Sequence, residues 1–158
     1  MSLVAVDVCR LCYSPLIIYE AAGVEALGIN PDGTLLERPL YKDNIRCVIC
    51  GRLSTSTDAI VRLDKGQETL YVIVNEYQDG FAVVSIPVVP GEDGSVIFSR
   101  REPPKLLARL DANELTRAMY KHIHKALIDR FVDDSCQDVF NALLHMANVP
   151  TEVNSDGS

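Results

Sequence analysis

This 158-residue chain lacks most of the signatures that would assign a function. No apolar run approaches the roughly 18 residues that a membrane span requires. The opening Met1-Ser2-Leu3-Val4-Ala5-Val6-Asp7 has no basic stretch and meets an acid at once, so neither a secretory leader nor an Arg-rich transit peptide is expected. Basic residues are in deficit: 15 Lys and Arg stand against 22 Asp and Glu, a net charge of −7. That balance opposes a protein coated in nucleic acid, though it permits a local basic patch. G-x-S-x-G, phosphate-loop and dinucleotide glycine patterns are missing. So is H-E-x-x-H, and no histidine precedes residue 122, which removes the H-x-E limb of a zinc deaminase. No internal repeat or low-complexity tract is present. Hydrophobic residues at 47% and charged residues at 23% exclude wholesale disorder. A chain of this length forms one domain, with or without a small appendage, and buries a core without needing disulfides.

Cysteine carries the signal. Cys9-Arg10-Leu11-Cys12 and Cys47-Val48-Ile49-Cys50 form two C-x2-C pairs 34 residues apart, and Cys136 stands alone. A C-x2-C turn aims two thiolates at one centre, and two such turns supply the four sulfurs of a tetrahedral zinc site. The segment between them must then fold back. Cys9, Cys12, Cys47 and Cys50 are therefore the expected ligands of one structural Zn2+. Disulfides suit an exported protein, a redox pair wants a thioredoxin-like unit, and a four-thiolate iron–sulfur cluster would use the same residues. Four cysteines fill the shell and leave no position for substrate, so an architectural role for the metal outweighs a catalytic one.

Around these pairs the pattern predicts an α+β fold in four parts. Residues 1–56 form a zinc-stapled antiparallel β lobe. Leu3 to Val8 alternate as a strand entering the first turn, and Leu16 to Tyr19 leave it. Glu20 to Gly28 read as a helical turn or irregular loop. Asn30-Pro31-Asp32-Gly33 is a turn, and Thr34 to Leu40 an edge segment bordered by Pro39. Ile45 to Cys50 bring in the second knuckle. Residues 57–102 read as a β-meander that shares its core with this lobe, with β-branched runs separated by Gly/Asp turns and the middle two strands apolar on both faces. Residues 103–149 are expected to form a C-terminal helical hairpin packed on the sheet. Asp111 and Glu114 suggest the first helix start, and Leu115, Met119, Ile123, Leu127 and Phe131 form its stripe. Ser135 and Asp138 suggest the second start. Residues 150–158 are expected to be a disordered tail.

The two knuckles feeding antiparallel strands resemble zinc ribbons and related zinc-stapled β folds. The likeness covers about the first fifty residues and rests on the four cysteines. Similar pairs open some insect zinc-finger-associated domains, but those continue as helix where this chain continues as sheet.

Charge is uneven. Arg100, Arg101, Lys105, Arg109, Arg117, Lys121, Lys125 and Arg130 make residues 100–130 basic within an acidic chain. The first seven are the candidate contacts for nucleic acid or an acidic protein partner, with Arg117, Lys121 and Lys125 on one helix face. The simpler reading is a solvated outer face. His122 and His124 point apart on a helix, and Cys136, beside Asp134 and Asp138, reads as buried and inert. Asp64, Glu68 and Asp79 read as solvated turn acids. The expected function is a non-enzymatic intracellular (cytoplasmic or nuclear) interaction subunit or adaptor in a larger protein assembly, with self-association also open. The alternatives are a nucleic-acid-associated factor using the basic segment, and a metalloenzyme with an open zinc position.

Overall fold

The computed structural model describes residues 2–18, 23–39, 45–52, 56–64, 66–76, 80–99 and 101–149. Among them the chain forms β1 (Ser2–Cys9), β2 (Ile17–Ile18), β3 (Val24–Ile29), β4 (Leu35–Pro39), β5 (Arg46–Cys47), β6 (Ser56–Leu63), β7 (Thr69–Asn75), β8 (Gly80–Pro90), β9 (Val96–Phe98), β10 (Lys105–Asp111), α1 (Arg117–Asp129) and α2 (Asp134–Met146). The mixed content is α+β, as the sequence predicts. Arg100, the turn at 77–79 and the tail at 150–158 lie outside the described residues.

All pairings are antiparallel. The large sheet runs β1-β6-β7-β8-β9-β3-β4, and β10 also pairs with β8. β2 and β5 form a separate small ladder that carries the knuckles. The expected meander is present in β6, β7, β8 and β9. The long β8 changes partner along its length: β10 lies against Gly80 to Ser85, and β9 against Val88 to Pro90. That change of partner divides the sheet, which curls. Ser2 and Leu63 from one end share the lining of a small cavity with Ile29 and Val96 from the other.

Strict alternation sorts two cores. Ala59, Val61 and Leu63, Leu70, Val72 and Val74, and Ala82, Val84, Ile86 and Val88 fill the inside of the curl with Val8, Ile29 and Phe98. The intervening Ile60, Ile73, Phe81 and Val83 face the helices and meet Ile123, Leu127, Phe140, Leu143 and Leu144. The period of two thus gives central strands that are apolar on both faces.

Five expectations change. Val24–Ile29 is a strand lying between β9 and β4, not a helical turn or loop. Its Ala26 and Gly28 are poor strand formers. Gly28 is there because a Cβ would sit 1.7 Å from the Val96 carbonyl oxygen on the neighbouring strand. Lys105–Asp111 is β10 rather than part of a helical region. Its Leu, Ala, Arg and Lys favour helix locally, and pairing with β8 overrides that preference. α1 therefore starts later, at Arg117, where the Thr116 side chain accepts the Met119 N–H. Asp111 instead caps a turn, accepting from the amides of Asn113 and Glu114. α1 ends at Arg130 in the left-handed region (φ 55°), so Phe131 falls beyond the stripe and is 65% exposed. Asp133, not Ser135 or Asp138, caps α2.

Candidate metal centre

The fold brings the two cysteine turns together. Strand β1 delivers Cys9, strand β5 delivers Cys47, and the β2–β5 pairing of Ile17 with Cys47 fixes one turn against the other. The four Sγ atoms all lie within 4.8 Å of one another. Cys12 and Cys47 are 3.3 Å apart, and Cys9 and Cys50 3.8 Å. A tetrahedron with metal–sulfur bonds of about 2.3 Å has edges of about 3.8 Å, so the cluster has the dimensions of a four-thiolate site. All five cysteines are unpaired by disulfide, so the oxidised alternative does not describe this structure. Cys9 and Cys47 are buried, Cys12 is half-buried, and Cys50 faces solvent.

The turns are conformational twins. Cys9 N–H donates to the Ser14 carbonyl, and Cys47 N–H to that of Arg52, each five residues on. Tyr13 N–H returns to the Cys9 carbonyl, and Gly51 N–H to the Cys47 carbonyl, each from four residues on. Both of those residues have positive φ, 69° at Tyr13 and 76° at Gly51. Amides also reach the sulfurs: Leu11 N–H donates to Cys9 at 3.4 Å and Cys50 N–H to Cys47 at 3.5 Å. Gly51 takes the left-handed region without cost. Tyr13 adopts it against its Cβ, and its ring is held from outside: its hydroxyl donates to Glu76 Oε2 (3.3 Å) and accepts from Arg109 Nη2 (3.0 Å). Arg109 Nε closes the triangle on Glu76 Oε1 at 3.0 Å. Burial raises the Tyr13 pKa, so the phenol keeps its proton for this network.

Four neighbouring thiols cannot all ionise unless a cation joins them. Hydrogen bonds from Cys12 and Cys47 hold the Cys9 thiol well below its ordinary value. Bonds to Cys47 and Cys9 keep the proton on Cys12 and raise its pKa. Cys47 is pushed up to about 11; its bond to Cys12 pulls the other way, but its bond to Cys9 and burial prevail. A metal ion would displace those shared protons and take up all four sulfurs.

The remaining candidates scatter. Arg101 follows β9, Lys105 and Arg109 lie on β10, and Arg117, Lys121 and Lys125 follow α1. All six are exposed, but Arg109 is engaged by Glu76 and Tyr13, and Lys125 pairs with Asp129 at 2.6 Å. Arg130 spans to Asp7 and Asp58 and so ties the end of α1 to β1 and β6. Asp64, read as a solvated turn acid, is buried and pairs with Arg62 at 3.4 Å. Arg62 is 2% exposed, donates to Asn141 on α2 at 3.0 Å and lies over the Phe140 ring. Nothing local marks this arginine; its place in the strand alternation, opposite to Val61 and Leu63, was the one available signal. His124 stacks on Tyr120, and His145 lies exposed in the last turn of α2. Among the described residues no helix is long and apolar enough to cross a membrane.

Comparison of the chain with protein-family profiles, with curated proteins and with solved structures gives no match.

Proposed function

We propose that Cys9, Cys12, Cys47 and Cys50 hold one structural zinc ion. In this reading the chain is a non-enzymatic, intracellular interaction subunit of a larger protein assembly. The observation that carries the metal reading is the pair of matched turns placing four sulfurs at tetrahedral spacing. Four sulfur donors select a soft or borderline cation and leave no coordination position for a substrate, which supports architecture over catalysis. Support for a protein partner comes from apolar side chains left in solvent. Leu11, 53% exposed, stands on the first knuckle. Val89 and Ile97, 53% and 39% exposed, are direct cross-strand partners on β8 and β9.

The test is metal analysis of untagged protein, followed by native co-purification. About one tightly held zinc per chain is expected, together with a co-purifying protein that a Val89→Asp/Ile97→Asp variant no longer retains. Iron with acid-labile sulfide, or a metal content unchanged by Cys47→Ser, would overturn the metal reading. Salt-sensitive binding of nucleic acid by the untagged protein, with no protein partner retained, would overturn the assembly reading.

A further inference from the structure

A second cluster of metal-binding groups lies at the closed end of the helical hairpin, on the side of the sheet that packs α1 and α2. His122 comes from α1, Asp133 from the link between the helices, and Cys136 from the first turn of α2. Their ligand atoms lie within 4.8 Å of one another. His122 Nε2 is 3.3 Å from Cys136 Sγ and 3.8 Å from Asp133 Oδ1. Bond lengths of about 2.0 Å to nitrogen or oxygen and 2.3 Å to sulfur give tetrahedral edges of roughly 3.3 Å for N···O and 3.5 Å for N···S, and the observed separations lie within about half an ångström of these. We propose that His122, Asp133 and Cys136 form a second, exchangeable site for a divalent zinc-class cation, distinct from the four-cysteine centre.

Three features favour coordination over an ordinary packing contact. The groups converge on a single ring nitrogen, Nε2, which is also 3.0 Å from Ser135 Oγ. A Cys–His–Asp catalytic relay would instead need the carboxylate on the opposite ring nitrogen, so this geometry is wrong for a nucleophile and its base. Next, the carboxylate is already oriented. Asp133 Oδ1 accepts from the amides of Ser135 and Cys136 and from the Ser135 hydroxyl, which fixes the carboxylate beside the His122 ring. Finally, the cluster opens on a cavity of about 320 Å³ lined by Lys125, Ala126, Asp129 and Phe131 as well as the three candidate ligands. Three protein ligands beside open space leave a fourth position for water or a small ligand, the opposite of the closed four-sulfur set. One sulfur, one nitrogen and one oxygen suit zinc or cobalt and disfavour calcium or magnesium. The ion would join α1 to α2 beside the exposed Phe131.

This proposal is independent of the four-cysteine reading, and its test keeps the two apart. The full chain is first loaded to constant metal content, then dialysed against graded free zinc and analysed for metal. A second equivalent is expected that a moderate chelator removes while the first stays. His122→Ala and Asp133→Asn should each weaken the second equivalent by about 100-fold or more and leave the first intact; the asparagine still caps α2. In cobalt-substituted protein, Cys136→Ser should remove the added single-thiolate charge-transfer band and spare the intense four-thiolate one. Circular dichroism confirms that each variant is folded. No second equivalent in the wild-type chain, or one that persists in both His122→Ala and Asp133→Asn, would overturn the proposal.

Discussion

Removing the zinc proposed for the four-cysteine cluster should loosen the two knuckles and leave the sheet standing. Without an ion, hydrogen bonds and packing against one side of the sheet are what hold the knuckles. Beyond the β1–β6 and β2–β5 pairings, five backbone hydrogen bonds secure them: Cys9 to Ser14, Tyr13 to Cys9, Cys47 to Arg52, Val48 to Leu16 and Gly51 to Cys47. At about 1 kcal/mol each, these contribute about 5 kcal/mol. Fixing the backbone of about a dozen residues at roughly 1.5 kcal/mol each costs about 18 kcal/mol. The local apolar cluster is small, with Cys9, Ile17 and Cys47 buried and Cys12 and Ile49 packed beside them. Packing of Tyr13, Leu16, Val48 and Ile49 against the core inside the curl offsets part of the shortfall of about 13 kcal/mol, and the roughly 10–16 kcal/mol that a structural zinc contributes in small domains would cover the rest. The core between the sheet and the helices contains no knuckle residue and takes no part in that balance. Hydrogen exchange followed by mass spectrometry, before and after chelation, reads the outcome directly. Amides of Tyr13, Val48 and Gly51 should lose protection, while those of β7 and β8 keep theirs. Unchanged protection in the knuckles after complete loss of metal would refute the reasoning, and so would simultaneous melting of β7 and β8.

Three further outcomes follow from the packing. Arg62→Ala should destabilise the fold by about 3–5 kcal/mol in urea titration, because it removes a buried partner of Asp64; Arg62→Met/Asp64→Leu should recover most of that loss. Gly28→Ala should cost about 1–3 kcal/mol or more and preferentially release β3 from β9, seen as faster exchange at Ile29, since the new Cβ meets the Val96 carbonyl. The bond from the Ser135 hydroxyl, with the amide bonds, lowers the Asp133 pKa, so the support this carboxylate gives to α2 is complete above its unfolded value. That support should fade as pH falls through its lower folded value, and the Ser135 and Cys136 amide resonances should shift over that acid range and not near neutrality.

The sequence by itself determined what depends on spacing and period. Two C-x2-C pairs marked the four candidate metal donors, because a two-residue gap lets a turn aim both sulfurs at one centre. Alternation from Ala59 to Ile86 fixed the central strands and their two buried faces, and the stripe from Met119 to Leu127 fixed a helix. The tertiary structure decided whatever needed a partner distant in the chain. β10 is a strand only because β8 offers an edge to Lys105–Asp111, whose own residues favour helix. β3 is a strand because Gly28 lets a neighbouring backbone approach. Arg62 is buried because Asp64, Asn141 and Phe140 receive it. Likewise Tyr13 meets Glu76 and Arg109, and His122 meets Cys136, only once helices and strands have packed. Local preferences of a few tenths of a kcal/mol per residue yield to such contacts, which no window along the chain contains.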